Sequence, residues 1–219
     1  MRQTMLDTYI SILRRLTMNN AIVAVLTTAI VAGTAVAVQP EPTSGSDLND
    51  LEMAHVAVTA NDTDIRYAHL ALALSDNPDI REFAETMIRD HSAVNQQVAA
   101  LAKKLGVTAR DNEVSQGLRA NAREITEELS RLRGEEFDRR YAANEAAYHR
   151  AVNGLVSETF IPNIDNPEVK KAFEGALQIF LVHQAHAEEL DRELGGMGGM
   201  EMDMGMESDM NMDADIGEM

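Results

Sequence analysis

The chain has 219 residues, 25% of them charged, no cysteine, no tryptophan and a formal net charge of −17. The absence of cysteine excludes disulfides, thiol catalysis and a lipid-modified N-terminal cysteine. The acidic balance argues against a nucleic-acid surface and suits metal cations as partners.

Residues 21–38, AIVAVLTTAIVAGTAVAV, are uncharged and mostly apolar, come after Arg14 and Arg15, and end in small residues. This is the pattern of a secretory signal, so residues 1–37 are read as a signal peptide cleaved after Ala37. A run of about 18 apolar residues can also just anchor a chain in a bilayer. The alanines, threonines and glycine make this one weakly hydrophobic, which favours cleavage. Uncleaved, it would be the chain's one contact with a membrane. The reading places the mature protein in the periplasm or cell envelope. The first 37 residues carry Arg2, Arg14 and Arg15 against Asp7, so the mature chain is more acidic than the whole. A linker rich in proline and serine, residues 38–46, comes next.

From Asp47 to Leu194 the apolar periodicity is helical, without a convincing period-two strand. A first helix, 47–75, aligns Leu51, His55, Val58, Asp62, Ile65, His69 and Leu72 on one stripe. At 76–78 Asp-Asn-Pro stops it and starts the next, with Asn77 as N-cap and Pro78 in the first helical position. The second helix runs to Leu105 with Ile80, Ala84, Met87, His91 and Val94 in register, and Gly106 ends it. A third, shorter helix spans 113–132, and a fourth spans 135–159. Residues 161–167, IPNIDNP, read as a loop, and a fifth helix, 167–194, aligns Val169, Phe173, Ala176, Phe180, His183, Ala187 and Leu190.

The segments DNPDIREFAETMIRDH and DNPEVKKAFEGALQIFLVH form a partial repeat, each leading from an Asn-Pro start to an inward histidine, His91 and His183. Two helix pairs related in this way make an all-α four-helix bundle, with the short third helix in the long crossover connection. About 145 residues are enough for one such core. Residues 195–219, GGMGGMEMDMGMESDMNMDADIGEM, hold eight methionines and no basic residue. Their glycine and acid content reads as a disordered tail.

All six histidines lie in the helical region. The stretch YAANEAAYHRAV, 141–152, places Glu145 and His149 one turn apart on the face that carries Tyr141 and Tyr148. Together with His55, His91, His183 and His186, with His69 a weaker candidate, they give every long helix an inward imidazole. Imidazole and carboxylate ligands from facing helices are how bundle cores hold copper, zinc or iron. In the tail, Met200, Met202, Met204 and Met206 repeat thioethers at two-residue steps. A flexible chain could wrap these around Cu(I), with the flanking acids holding Cu(II). A solubilising tail or an oxidant sink would have the same composition.

The main expectation is therefore a non-enzymatic protein that binds or buffers a transition metal, with copper foremost. A buried His/Glu hydrogen-bond network without metal is the alternative. A metal-dependent oxidoreductase comes third. Di-iron bundles use Glu-x-x-His pairs and further inward glutamates. Here Glu145 and His149 are four residues apart, and Asp90 lies about 100° round the helix from His91.

The segments EMAHVAVTANDTDIRYAHLAL, FAETMIRDHSAVN, DNEVSQGL, FDRRYAANEAAYHRAV and FLVHQAHAEEL together resemble a bacterial family of unknown function. Its members are exported and ferritin-like, and often labelled only as membrane or outer-membrane proteins. The resemblance covers about residues 48–194. It implies a ferritin-like four-helix bundle in the envelope, with His55, Asp90, His91, Glu145, Tyr148, His149, His183 and His186 at motif positions. Asn144 departs from the pattern, standing where relatives often carry histidine. The family brings no settled activity with it.

Overall fold

The structure is a computed structural model that describes residues 48–206, with side chains up to residue 195. The expected signal peptide, the linker and the tail beyond Met206 lie outside the described residues. Those residues are all-α: α1 (Asp50–Leu74), α2 (Pro78–Leu105), α3 (Glu113–Leu129), α4 (Gly134–Leu155), α5 (Ile161–Asn163) and α6 (Pro167–Met206). No described helix is long and apolar enough to cross a membrane.

The helix starts arise from local chemistry. The Asn49 side chain accepts from Leu51 N and Glu52 N while Glu52 reaches back to the Asn49 N–H, a capping box. Asn77 accepts from Asp79 N and Ile80 N, with Pro78 at the first helical position. Asn166 does the same for α6, accepting from Glu168 N and Val169 N. The Asp50 carboxylate accepts from Asp165 N and Asn166 N, which ties the start of α6 to the start of α1. Gly106 ends α2 at φ 66°, a left-handed position that costs a side chain with a Cβ.

Two segments depart from the sequence reading. Beyond α4 the chain passes through a π-helical turn, Val156–Phe160, and then α5, where the sequence reads as a loop. Pro162 is compatible with this because a first-turn proline sacrifices no helical hydrogen bond. The last helix also continues through Met206 instead of stopping at Leu194. The preceding turns remove the nucleation cost of going on, and the methionines are strong helix formers, against the cost of glycine at 195, 196, 198, 199 and 205.

α1 packs along α2 and α4 along α6; the pairs meet through α2 against α6 and α1 against α4. α3 lies on α1 within the connection between α2 and α4. The buried apolar residues fall in two clusters. One gathers Tyr67, Ile80, Phe83, Met87, Phe137, Tyr141 and Leu190, the other Met53, Val56, Val156, Phe160, Phe173 and Leu177. Along α1, α4 and α6 a buried polar residue separates the two, Asp64, His149 and His183 in turn, and on α2 the buried His91 follows the last residue of the first cluster, Met87. Each large apolar side chain on either side contributes about 1.5–3 kcal/mol of burial. The polar layer between them therefore sits on a scaffold able to carry its desolvation.

The inward stripe of α1 differs from the one read in the sequence. Met53, Val56, Ala60, Asp64, Tyr67 and Ala71 face the core, while Asp62 and His69 are exposed. The stretch TANDTD is polar on every side, so hydropathy cannot set its phase. The tertiary packing turns Thr59, Asn61, Thr63 and Asp64 inward instead.

Candidate metal centre

Four helices bring His91, His149, His183 and Asp64 together in the middle of the core. Their side chains are 5%, 3%, 4% and 0% exposed. The imidazole centroids form a near-equilateral triangle, 5.7 Å from His91 to His149, 5.4 Å from His91 to His183 and 5.8 Å from His149 to His183. Each ring offers one nitrogen within 4.8 Å of the other two, and His149 makes a second such group with Asp64 and Glu145. The Phe180 ring stacks on His91 at 4.3 Å. A cavity of about 10 Å³, lined in part by Asn61, Asp64, His91, His149 and Phe180, adjoins the cluster.

The outer nitrogen of each ring is held by the protein. His91 Nδ1 lies 3.0 Å from Asn61 Oδ1, an acceptor, so it donates. His149 Nδ1 donates to the Glu145 backbone carbonyl at 3.1 Å. His183 Nε2 donates to Asp90 Oδ2 at 3.0 Å. These bonds fix the tautomers and leave a lone pair on the inner nitrogens: Nε2 of His91, Nε2 of His149 and Nδ1 of His183. All three inner nitrogens are buried without a hydrogen-bond partner.

The carboxylates complete the picture. Asp64 Oδ2 stands 3.2 Å from His91 Nε2 and 3.3 Å from His149 Nε2, and neither contact has hydrogen-bond geometry. Ligand atoms at about 2.0–2.1 Å around a tetrahedral ion stand about 3.3 Å apart. Burial alone would raise the Asp64 carboxyl, but the imidazoles of His91, His149 and His183 outweigh it and hold it below its ordinary value. Burial lowers His149, and burial pushes His183 down to about 4 against the pull of Asp90, so both rings are neutral at pH 7. Burial, reinforced by the charge of Asp64, raises Glu145 well above its ordinary value. Both Glu145 oxygens and the Tyr141 hydroxyl are buried without a conventional hydrogen bond. Each such group costs about 1–3 kcal/mol. Asp64 Oδ2 and the inner nitrogens of the three rings converge without a hydrogen bond between them, an arrangement that fits a bound cation.

The other candidates lie elsewhere. His55 is half-buried, with Nδ1 2.8 Å from Ser115 Oγ and 3.7 Å from Asp111 at the α1–α3 contact. His186 packs its ring edge-on against Phe83 at 5.1 Å. Met200, Met202, Met204 and Met206 fall in the last turns of α6, where the structure describes backbone only. Asn144, buried beside Glu145, has an unpartnered amide nitrogen. The sequence reading missed Asp64. Its signal was the series Met53, Val56, Ala60, Asp64, Tyr67, Ala71, at steps of three and four.

A protein-family model described as "Domain of unknown function (DUF4142)" matches residues 34–190, so the chain belongs to that family. No curated protein matches the sequence. A solved structure, "CopM in the Cu(II)-bound form", is similar with a TM-score of 0.51 and 12% identity. The match covers 67% of this chain and 97% of that one. At that identity the likeness concerns the fold.

Proposed function

We propose that this member of the DUF4142 family is an exported, ferritin-like four-helix bundle that binds and buffers a transition metal in the cell envelope. The ligands are His91, His149, His183 and Asp64, with Glu145 as an adjacent carboxylate. The observation that carries the reading is the set of fixed tautomers around Asp64. Three inner nitrogens and an ionised carboxylate converge in the core without a hydrogen bond of ordinary geometry among them, an arrangement that a bound cation satisfies. A network would need Glu145 to accept from an imidazole. Instead, His149 Nδ1 donates to the Glu145 backbone carbonyl and stands 3.7 Å from its carboxylate. Three imidazoles with a carboxylate suit borderline divalent ions such as Cu(II) and Zn(II), and Fe(II). Copper is tried first because the similar CopM structure holds Cu(II). The tail methionines are a second, softer candidate for Cu(I). The bound metal would supply charge neutralisation for the two buried carboxylates; no catalytic step is assigned.

The test is elemental analysis and thermal melting of the full chain, a variant truncated after Gly195, and His149→Ala. Stoichiometric Cu(II), Zn(II) or Fe(II) that survives truncation, raises the melting midpoint and disappears in His149→Ala is the expected result. A wild-type protein that retains no metal and whose midpoint none of the three ions moves would overturn the reading.

A further inference from the structure

The buried cluster is not equally far from solvent on all sides. Asp64 is wholly buried, yet Asp90, which holds His183, has a side chain 25% exposed. Arg89 Nε and Nη2 fork onto the two oxygens of Asp90 at 2.8 and 3.1 Å, and the Arg89 side chain is itself 67% exposed. Asp90 Oδ2 thus accepts from Arg89 and from His183 Nε2 together. One carboxylate links a solvent-facing guanidinium to a ring whose other nitrogen belongs to the core cluster.

The competing route runs along the α1–α2 seam. There the Asn61 amide donates to Asn95 Oδ1 and the Asn95 amide donates to Asp62 Oδ1, both at 2.8 Å, behind His91. A cation passing there would have to break two successive amide hydrogen bonds, the outer one held by the Asp62 carboxylate, between two closely packed helices. α2 and α6 touch less extensively than α1 and α2 do. Between them, at the level of the cluster, lie the Asp90–His183 bond and the Phe180 ring stacked on His91.

We propose that the cation reaches and leaves the core between α2 and α6, past Asp90 and His183, and that the Arg89–Asp90 ion pair is the latch on this route. The proposal rests on the metal-binding reading above. An arriving divalent ion competes with Arg89 for Asp90. Once Asp90 is bound to the ion, it no longer holds His183 Nε2, and the ring is free to turn and admit the ion to the inner nitrogens. Exposed ion pairs are weak and screened, which is what a latch that must open requires.

The passage is tested by the rates of binding. The full chain is mixed with Cu(II) in a stopped-flow instrument and monitored by quenching of tyrosine fluorescence. Tyr148 lies 6.3 Å from His149 and 5.8 Å from Tyr67 by ring centroid, so a bound Cu(II) sits beside the reporters. Release is monitored by mixing the loaded protein with EDTA. Arg89→Ala should raise both the association and the dissociation rate by roughly tenfold. The equilibrium affinity should stay nearly constant. Asp90→Asn should slow association, and in the double variant the effect of Arg89→Ala should vanish. Wild-type binding with rates unmoved by Arg89→Ala, or rates that respond to Asn95→Ala instead, would refute the latch while leaving the site intact. A change in affinity carried by one rate alone would make Arg89 a contributor to binding strength and also refute it. A wild type that binds no Cu(II), Zn(II) or Fe(II) removes the site and the passage together.

Discussion

At the scale of single residues, the core is shaped by which side chain holds which tautomer. Glu145 illustrates the consequence. Its carboxyl is pushed well up by burial first and then by Asp64. A group with a raised folded-state value contributes stability below its ordinary value and loses it as pH rises toward the folded value, because the unfolded chain gives up its proton first. Glu145→Gln should therefore raise the metal-free melting midpoint at pH 8, equivalent to about 1–3 kcal/mol. It should also weaken Cu(II) binding, because a bound ion is what favours the carboxylate. A Gln variant less stable than wild type without metal would show that Glu145 is satisfied in solution. His183 has the opposite sign. Its folded value, lowered to about 4, lies below the ordinary 6.5. Its contribution is complete above pH 6.5 and lost between 6.5 and 4, where the unfolded chain takes up a proton that the core refuses. Relative to His183→Gln, the wild type should lose about 3 kcal/mol of metal-free stability over that interval, measured by denaturant titration at each pH.

At the scale of elements, the turn between α1 and α2 is a small network. Ser75, the C-cap of α1, donates through Oγ to Asp138 on α4 and accepts the Asn77 N–H at 3.1 Å. Arg81 Nη1 reaches back from α2 to the carbonyls of Leu72 and Ser75 at 2.8 and 2.9 Å. Helix ends leave such carbonyls without intrahelical partners, and a cation near a C-terminus also meets the helix dipole favourably. Burial raises Asp138, with Asp76 and Glu135 adding to it after the Ser75 hydroxyl has opposed it. Ser75→Ala should cost about 1–3 kcal/mol. The cost should be larger at pH 8 than at pH 4, because only the ionised carboxylate needs the lost donor. Equal costs at both pH values would mean that Asp138 is protonated throughout or solvated.

At the scale of the whole molecule, an acidic chain is held together by a core that is apolar at both ends and polar in the middle. The last described buried apolar residue of α6 is Leu194. Truncation after Gly195 should therefore shift the melting midpoint by no more than a few degrees, equivalent to under about 1 kcal/mol. Loss of cooperative unfolding in the truncated chain would show that the end of α6 and the residues after it pack on the core. The polar layer makes the stability of the whole depend on what it binds. A ligand that binds only the folded state at a hundred times its dissociation constant adds about 2.7 kcal/mol.

Helical class and nearly every helix start were legible in the chain alone, because these rest on neighbouring residues. Asn77-Pro78 and Asn166-Pro167 cap and begin helices wherever they are placed, and Gly106 ends one through its own backbone freedom. The inward direction of His91, His149 and His183 was legible too, since each interrupts a clear apolar stripe. Asp64 was not legible in the same way. It lies in TANDTD, where no hydropathy contrast sets the phase of the helix, and only packing against α2, α4 and α6 turned it inward. The convergence of the four side chains was likewise a matter of tertiary packing. Periodicity fixes the angle of a residue about its helix, while its depth along the core depends on how far each helix slides against its neighbours. That sliding is set by the side chains in contact between helices, and it separated His55 and His186 from the cluster while bringing Asp90, off the predicted stripe, against His183.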